Sequence, residues 1–432
     1  MIRIFFIFLI IFTSNCSFDD KSGIWTNEKN LTSKTNSENI KKLFKTNEII
    51  KDEFNSNFKL NVPLKLSDIK SSKNNINAFL NFNLDIKKIS RYKFSKIKNF
   101  DYLDPSLVFY KNDLVFFDNK GSILRFDNNS KIIWKKNYYN KSEKKMSPKL
   151  NLATKGKILI VTDSLSKYYA INLVNGEIIW DKNHSGIFIS DIKIDNDRFY
   201  IIDANNVIYC FSLIDGSKIW EFVTDFELVK SQKKLSIIFD NENVYFNNSV
   251  GNIYALDKNS GNLSWVTYTK NTDNFFQSFL LKTSKLIMDN NDLYFVNNQN
   301  SFFSLEKKSG FVNWSQNINS EIRPIIFENL IFSISSEGLL FILEKNSGNI
   351  LRVTNVFNQF KKRKREKIKP TGMILDIDSI FITLNNGKII NVNINDGRTR
   401  STLSVSRSRI SQPFINKNFI FIVKDNEIIR LN

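Results

Sequence analysis

The chain has 432 residues and a formal net charge of +19, with 62 lysine and arginine residues against 43 aspartate and glutamate residues. Such an excess of positive charge is typical of nucleic-acid-binding proteins, but no motif of that class accompanies it, so we interpret most of these lysines as solvated surface and expect no nucleic acid partner. Two cysteines and one histidine argue against a disulfide framework and against a zinc site.

The amino terminus predicts export. An unbroken apolar run covers residues 5–12, which is too short to span a bilayer and matches the core of a signal peptide. Cys16 follows this run, at the place where bacterial lipoproteins are cleaved and acylated. We therefore predict a signal peptide over residues 1–15 and lipidation at Cys16, although Thr13 and Asn15 depart from the usual residues before such a cysteine. An unpaired cysteine near an ordinary signal cleavage site is the alternative.

The segment after Cys16 predicts a membrane tether. Ser17 stands where an aspartate typically retains a lipoprotein in the inner membrane, so the sorting rule predicts the periplasmic face of the outer membrane. Residues 16–80 are rich in lysine, asparagine, serine and glutamate and hold no copy of the repeat described next. We predict a lipidated tether that is mostly disordered.

A strand–turn–strand unit recurs through the rest of the chain. In the clearest copy, residues 253–256 are apolar on both faces, residues 257–261 form a tight turn ending in Gly261, and Trp265 follows four residues later. The copies are Gly176 with Trp180, Gly216 with Trp220, Gly261 with Trp265 and Gly310 with Trp314, and three degenerate ones hold Ser130 with Trp134, Gly348 with Arg352 and Gly397 with Ser401. Turns spaced about 40–50 residues apart indicate a β-propeller.

The blade count follows from the two ends of this repeat region. Each copy holds four predicted strands, whereas the carboxyl terminus supplies three, at residues 412–415, 419–423 and 427–431. The strand-like segment 84–94 can pair with them, which would close the ring and remove two exposed edges. We predict an all-β, eight-bladed propeller of four-stranded antiparallel blades over residues 81–432, closed by this N-terminal strand. The tryptophans are then packing residues between blades.

At these residues the chain resembles a known family. The pattern Tyr-Ala-Leu-Asp-x-x-x-Gly-x-x-x-Trp resembles the repeat of quinoprotein-type (PQQ-like) propellers. Within that superfamily, the chain length and the lipoprotein-like start resemble the BamB family of the outer-membrane β-barrel assembly (BAM) machinery. The resemblance implies a scaffold lipoprotein without substrate or cofactor, which binds the periplasmic POTRA domains of the central assembly protein and assists the insertion of outer-membrane proteins.

The resemblance also implies where partners bind. In the family, partner contacts lie on connectors between adjacent blades, on one face of the ring. The corresponding segments here are residues 225–231 and 271–276, which offer Leu228, Lys230 and Asp273 as candidate contacts. Packing of Leu228 under its own blade is the alternative. Direct binding of nascent barrel strands stays open.

A PQQ-dependent dehydrogenase is the enzymatic alternative. Those enzymes coordinate calcium with carboxylate and amide oxygens, and many place adjacent bridged cysteines beside the cofactor, whereas this chain has no adjacent pair. The acidic segments 195–197, 240–242 and 289–292 fall at the same point of each repeat, so hairpin turns explain them better than calcium sites. No Ser-His-Asp arrangement can be built around His184. We predict a protein that is not an enzyme and holds no metal.

One basic segment falls outside the repeat pattern. Residues 361–369 read Lys-Lys-Arg-Lys-Arg-Glu-Lys-Ile-Lys, between two blades. We interpret them as a solvated loop, with electrostatic contact to an acidic partner or to anionic lipid as the alternative.

Overall fold

The computed structural model of the chain describes residues 50–60, 87–224, 233–269 and 281–432. Within these ranges, 32 strands form eight four-stranded antiparallel sheets. The predicted eight-bladed propeller of four-stranded blades is therefore confirmed. The short helices in the described ranges are a 3₁₀ turn at Phe100–Tyr102, α1 at Lys141–Lys145 and α2 at Lys362–Arg365, and none of the described helices is long or apolar enough to cross a membrane.

The strands are numbered in chain order and grouped by blade. Strand β1 spans Lys88–Lys93, blade 1 comprises β2 Val108–Tyr110, β3 Asp113–Phe117, β4 Ile123–Phe126 and β5 Ile132–Lys136, and blade 2 comprises β6 Leu150–Lys155, β7 Ile158–Asp163, β8 Lys167–Asn172 and β9 Ile178–Asn183. Blade 3 comprises β10 Lys193–Asp195, β11 Arg198–Ile202, β12 Val207–Ser212 and β13 Lys218–Val223, and blade 4 comprises β14 Ile237–Phe239, β15 Asn243–Asn247, β16 Ile253–Asp257 and β17 Leu263–Thr267. Blade 5 comprises β18 Ile287–Asp289, β19 Asp292–Asn297, β20 Ser301–Glu306 and β21 Val312–Gln316, and blade 6 comprises β22 Ile325–Phe327, β23 Leu330–Ile334, β24 Leu339–Glu344 and β25 Ile350–Asn355. Blade 7 comprises β26 Pro370–Leu375, β27 Ser379–Leu384, β28 Lys388–Asn393 and β29 Thr399–Ser404, and blade 8 comprises β30 Pro413–Asn416, β31 Phe419–Val423, β32 Glu427–Leu431 and, as its outermost strand, β1.

The core lies between neighbouring blades. The two middle strands of blade 3, β11 and β12, are buried along nearly their whole length, as strands covered on both faces must be. Tyr200 of β11 and Phe246 of β15 belong to one apolar cluster shared by blades 3 and 4. Cys210, the cysteine within the described residues, is also in this cluster, and burial raises the pKa of its thiol to about 12. The thiol is therefore a packing group.

The outermost strand of each of the first seven blades carries a bulge just before the repeat tryptophan position. In blade 3, Cys210 pairs with Trp220 and Phe211 with Lys218, so Ile219 is the extra residue. The same register shift occurs between β4 and β5, β8 and β9, β16 and β17, β20 and β21, β24 and β25, and β28 and β29. Because a bulge bends its strand and increases the twist, it re-aims the side chain that follows. The bulges thereby give the side chain at the tryptophan position the same orientation in each of these seven blades.

Strand β1 closes the ring, as predicted for residues 84–94. It pairs antiparallel with β32, with Arg91 opposite Ile429. Tyr92 is only 2% exposed and meets the ring of Phe126 in blade 1 edge to face at 5.7 Å. Blade 8 is thus built from both ends of the propeller and is packed against blade 1.

Residues 50–60, here called the strap, lie against the rim of blade 6. Phe54 and Val353 of β25 exchange two backbone hydrogen bonds of 3.1 and 2.9 Å, which adds a bridge outside the outermost strand. The backbone N–H of Leu60 donates to the carbonyl of Asn395 in blade 7, and the Leu60 side chain is buried. The sequence did not indicate this pairing. The tether predicted for residues 16–80 otherwise falls outside the described residues and stays a prediction.

Candidate functional site

The repeat tryptophans join neighbouring blades. Each indole N–H donates to a backbone carbonyl in the turn of the next blade, at distances of 2.9 to 3.2 Å. The pairs are Trp134 with Leu173, Trp180 with Leu213, Trp220 with Lys258, Trp265 with Lys307 and Trp314 with Lys345. These side chains are committed to contacts within the ring, which leaves their faces unsuited to stacking on a ligand.

The repeat glycines lie under these rings. Gly261 has φ of +75°, and a Cβ atom there would lie 2.7 Å from Cδ2 of Trp220, so both the backbone and the contact require glycine. The same position is occupied around the ring by Gly176 beside Trp134, Gly216 beside Trp180, Gly310 beside Trp265, Gly348 beside Trp314 and Gly397 beside Arg352. These positions serve the junctions between blades.

Arg352 takes the tryptophan position in blade 6. Its Nη2 donates to the carbonyl of Ile394 at 2.7 Å, and its Nη1 donates to the carbonyls of Asn395 and of Phe58 in the strap. The side chain is fully buried, and burial lowers the pKa of the guanidinium to about 10. Blade 6, where arginine replaces tryptophan, is thus also the blade against whose described rim the strap lies.

The acidic hairpin turns are paired with lysines of the next blade. Asp195, Asp240 and Asp289 accept ion pairs from Lys258, Lys307 and Lys345 at 2.9, 2.9 and 2.7 Å. The same three lysines supply the carbonyls that the tryptophans bind. Within the described ranges, no group of three or more histidine, cysteine or acidic residues is placed to hold a metal ion.

His184 lies in an aromatic setting. Its ring stacks on Phe188 at 4.6 Å and meets Tyr209 edge to face at 4.8 Å, and its Nε2 lies 3.4 Å from Oδ2 of Asp203. Among the described residues, the imidazole forms no hydrogen bond with a hydroxyl or a thiol. A histidine and a carboxylate without a nucleophile make no catalytic triad.

The predicted contact residues fall outside the described residues. This holds for Cys16 and for Leu228, Lys230 and Asp273 of the two connectors. The described part of the chain resumes at residue 233 after the first connector and at residue 281 after the second. Lys233 and Lys234 follow the first, Leu281 and Lys282 follow the second, and all four line one cavity.

This axial cavity has a volume of about 970 Å³ and is lined by all eight blades. Its walls come mainly from the residues at or just before each innermost strand, within 101–104, 149–151, 187–190, 233–234, 281–285, 321–323, 369–373 and 408–413. Since the chain enters an innermost strand from the preceding connector, the cavity lies at the connector face of the ring. The turns bearing the repeat glycines lie at the opposite face.

The cavity is rich in positive charge. Eight basic and four acidic residues line it, namely Lys149, Lys233, Lys234, Lys282, Lys285, Arg323, Lys369 and Arg409 against Asp101, Asp104, Asp163 and Glu321. Beside it, Asp191 pairs with Lys285 at 2.9 Å and with Lys234 at 4.0 Å. Burial alone would raise the pKa of Asp191, but Lys285, Lys234 and Lys193 outweigh it and hold this pKa below its ordinary value.

Sequence reasoning missed this cavity. Its basic residues are 40 or more positions apart along the chain in most pairs, and the lysines were interpreted collectively as solvated surface. A signal was present, because Lys233, Lys282, Arg323, Lys369 and Arg409 all fall just before or at the start of an innermost strand. Comparing equivalent positions of the repeat would have revealed a basic ring.

The basic segment 361–369 is an inter-blade connector of the same face. It contains α2, whose residues are not buried, while Ile368 is buried in the core. Arg365 donates from Nε to the carbonyl of Phe360 at 2.8 Å and from Nη2 to that of Asn358 at 2.8 Å. Lys369, at its end, lines the axial cavity.

Together, the eight blades and the glycine–tryptophan junctions define a PQQ-like β-propeller. The family model for outer membrane protein assembly factor BamB matches residues 119–354, which is more than half of the chain. The chain therefore belongs to the BamB family. No curated protein matches the chain in sequence.

Solved structures share this architecture. BamB from Moraxella catarrhalis aligns with a TM-score of 0.67 at 13% identity, over 80% of this chain and 99% of that one. Quinohemoprotein alcohol dehydrogenase from Comamonas testosteroni aligns with a TM-score of 0.57 at 11% identity, over 80% of this chain and 76% of that one. The C-terminal WD40 domain of Sif2 aligns with a TM-score of 0.59 at 11% identity, over 81% and 99%. At these identities the likeness shows the fold alone, which an assembly factor shares with a dehydrogenase.

Proposed function

We propose that this chain is a non-enzymatic scaffold lipoprotein of the outer-membrane β-barrel assembly machinery. It binds the POTRA domains of the central assembly protein and assists insertion of outer-membrane proteins from the periplasmic face of the outer membrane. The family match over residues 119–354 carries the proposal. The alignment over 99% of a BamB chain agrees with it in fold.

The chemistry of the described residues favours a scaffold over the alternative, a PQQ-dependent dehydrogenase. Calcium beside such a cofactor needs several oxygen ligands, and the acidic turns that offered them are bonded to Lys258, Lys307 and Lys345 instead. The sequence has no adjacent cysteine pair. The donor set therefore does not fit the calcium–quinone pair, and the tryptophans that might flank a planar ring belong to blade junctions.

Anchoring through Cys16 is the first testable part. Mass spectrometry of the mature amino terminus is expected to find an acylated Cys16, and Cys16→Ala is expected to release the protein from outer membranes into the periplasmic fraction. Each buried methylene of an acyl chain contributes about 0.8 kcal/mol, and more than one chain makes attachment stable. An unmodified Cys16, or cleavage at another position, would remove the lipoprotein assignment.

Partner binding is the second testable part. We place the POTRA contact on the connectors, with Leu228 as apolar anchor and Lys230 and Asp273 as charged contacts. Leu228→Glu is expected to weaken capture of purified POTRA domains about thirtyfold, since loss of a well-packed anchor costs on the order of 2 kcal/mol. Ile214→Glu is the matched control, because Ile214 is 71% exposed and lies in the turn at the other end of β13.

Two results would contradict this proposal at different levels. Native POTRA affinity in a folded Leu228→Glu protein would remove Leu228 from the contact. Calcium-dependent, stoichiometric PQQ binding, together with reduction of an artificial electron acceptor by alcohols or sugars, would overturn the scaffold itself. We expect neither binding nor turnover in that assay.

A further inference from the structure

Positive charge in the axial cavity exceeds what its carboxylates neutralise. The carboxylate of Asp191 forms ion pairs with the ammonium groups of Lys285 at 2.9 Å and Lys234 at 4.0 Å. Lys193, two residues along on the same side of the chain, and Arg323 of blade 6 also act on Asp191. Four cations thus face Asp191, and two of them, Lys234 and Lys285, are also acted on by Asp104. Neither the ammonium of Lys193 nor the guanidinium of Arg323 forms a hydrogen bond or an ion pair with any residue in the described part of the chain.

The other nearby carboxylates act on cations other than Lys193 and Arg323. Glu321 lies 3.6 Å from the ammonium of Lys233 and 3.7 Å from that of Lys282. Asp104 acts on Lys233, Lys234, Lys285 and Arg409, and Asp101 acts on Arg409. Among the described residues, Asp191 alone offsets the charge of Arg323. The guanidinium lines the cavity, and none of its N–H groups donates to a residue that the structure describes.

Lys193 and Arg323 are half-buried, and a half-buried cation is stabilised by a nearby counter-charge. Burial lowers the pKa of Lys193, and it lowers the pKa of Arg323 to about 10, which leaves Arg323 charged at neutral pH. Asp191 is charged as well, because its pKa lies below the ordinary value. Against the effect of burial, Asp191 raises the pKa of Lys285, so the charged groups Lys285 and Arg323 outnumber Asp191.

We propose that the axial cavity binds a small anionic ligand through a phosphoryl group, with Arg323 as its main donor and Lys234 completing the charge. A phosphoryl group carries up to two negative charges and several acceptor oxygens, which matches a surplus of cations better than a single carboxylate does. Ser106 and Asn151, which lie 3.1 and 3.0 Å from the ammonium of Lys234, hold that lysine in place. A volume of about 970 Å³ suits a molecule of nucleotide size, at the upper end of ordinary ligand sites.

Calorimetric titration of the purified full-length protein tests this site. Inorganic pyrophosphate is one probe, and vesicles of phosphatidylcholine with or without phosphatidic acid are the other, which separates a free phosphorylated molecule from a lipid headgroup. Saturable binding to either phosphoryl source is expected, weakening as salt is raised. The double variant Lys234→Gln with Arg323→Gln should bind at least tenfold more weakly, whereas Arg323→Lys retains most of the affinity.

Lys218→Gln is the matched control, because Lys218 is an exposed cation paired with Glu221 on the outermost strand of blade 3. It should bind like the native protein, and the melting curves of all variants should report an intact fold. Absence of saturable binding to both probes overturns the proposal. So does native affinity in the double variant. Since the readout is ligand binding by the isolated protein, these outcomes are independent of POTRA capture.

Discussion

Deleting residues 81–96 is expected to abolish the stably folded ring. The deletion removes β1, leaves β32 as an open edge in blade 8 and exposes the surface that Tyr92 covers on Phe126. Tyr92→Ala tests the same junction with a single change. Truncating a buried aromatic side chain typically costs about 3–5 kcal/mol, so we expect a loss in that range by chemical unfolding.

Lys93→Ala is the control for the closing strand, since Lys93 is an exposed residue of β1 and surface changes of this kind stay within about 0.5 kcal/mol. Size-exclusion chromatography of the deletion protein should show aggregation or expansion. A monomer of native size with a native melting curve would mean that β1 is dispensable for closure.

Arg352→Ala is expected to destabilise the protein by about 2–3 kcal/mol. The change leaves the buried carbonyl of Ile394 without this donor, and a buried unpaired acceptor costs about 1–3 kcal/mol, while the carbonyl of Asn395 keeps the N–H of Leu60. The bond from Arg352 to the carbonyl of Phe58 is lost as well. Because Phe58 belongs to the strap, the same change should loosen residues 50–60. Trypsin cleavage after Lys51 or Lys59 should then become faster.

Arg400→Ala is the control for Arg352, because Arg400 forms a half-exposed pair with Asp378 and contributes little in water. Both readouts are measured on the same preparations. Native stability with a native cleavage rate in Arg352→Ala would show that the strap is held by its backbone contacts alone.

The ring was predictable because its junctions depend on particular residue types. A turn with positive φ under an indole ring admits only glycine, so Gly261 and Trp220 are visible in the sequence although they touch across two blades. Arg352 and Ser401 replace the repeat tryptophan in two blades, but Gly348 and Gly397 still mark the turns of those blades, so the number of repeats could be counted. The closing strand could be predicted because the three carboxyl-terminal strands would otherwise leave an exposed sheet edge, which is unfavourable.

The strap and the cavity were not predictable for different reasons. Phe54 reaches Val353 through backbone hydrogen bonds, which any residue can form and which leave no pattern in the sequence. Asp191, Lys234 and Lys285 come from three blades and meet only once the ring is closed. The proposed partner contacts at Leu228, Lys230 and Asp273 rest on the family resemblance and stay predictions.

The position of the strap also determines how the propeller would carry a mechanical load. A pull applied at the amino terminus reaches residues 50–60 before it reaches β1, because the strap precedes the closing strand in the chain. The force would first act on the bonds from Phe54 to Val353 and from Arg352 to Phe58, on blade 6. The strand that closes the ring is thereby shielded, because these bonds would have to break before such a pull could act on blade 8.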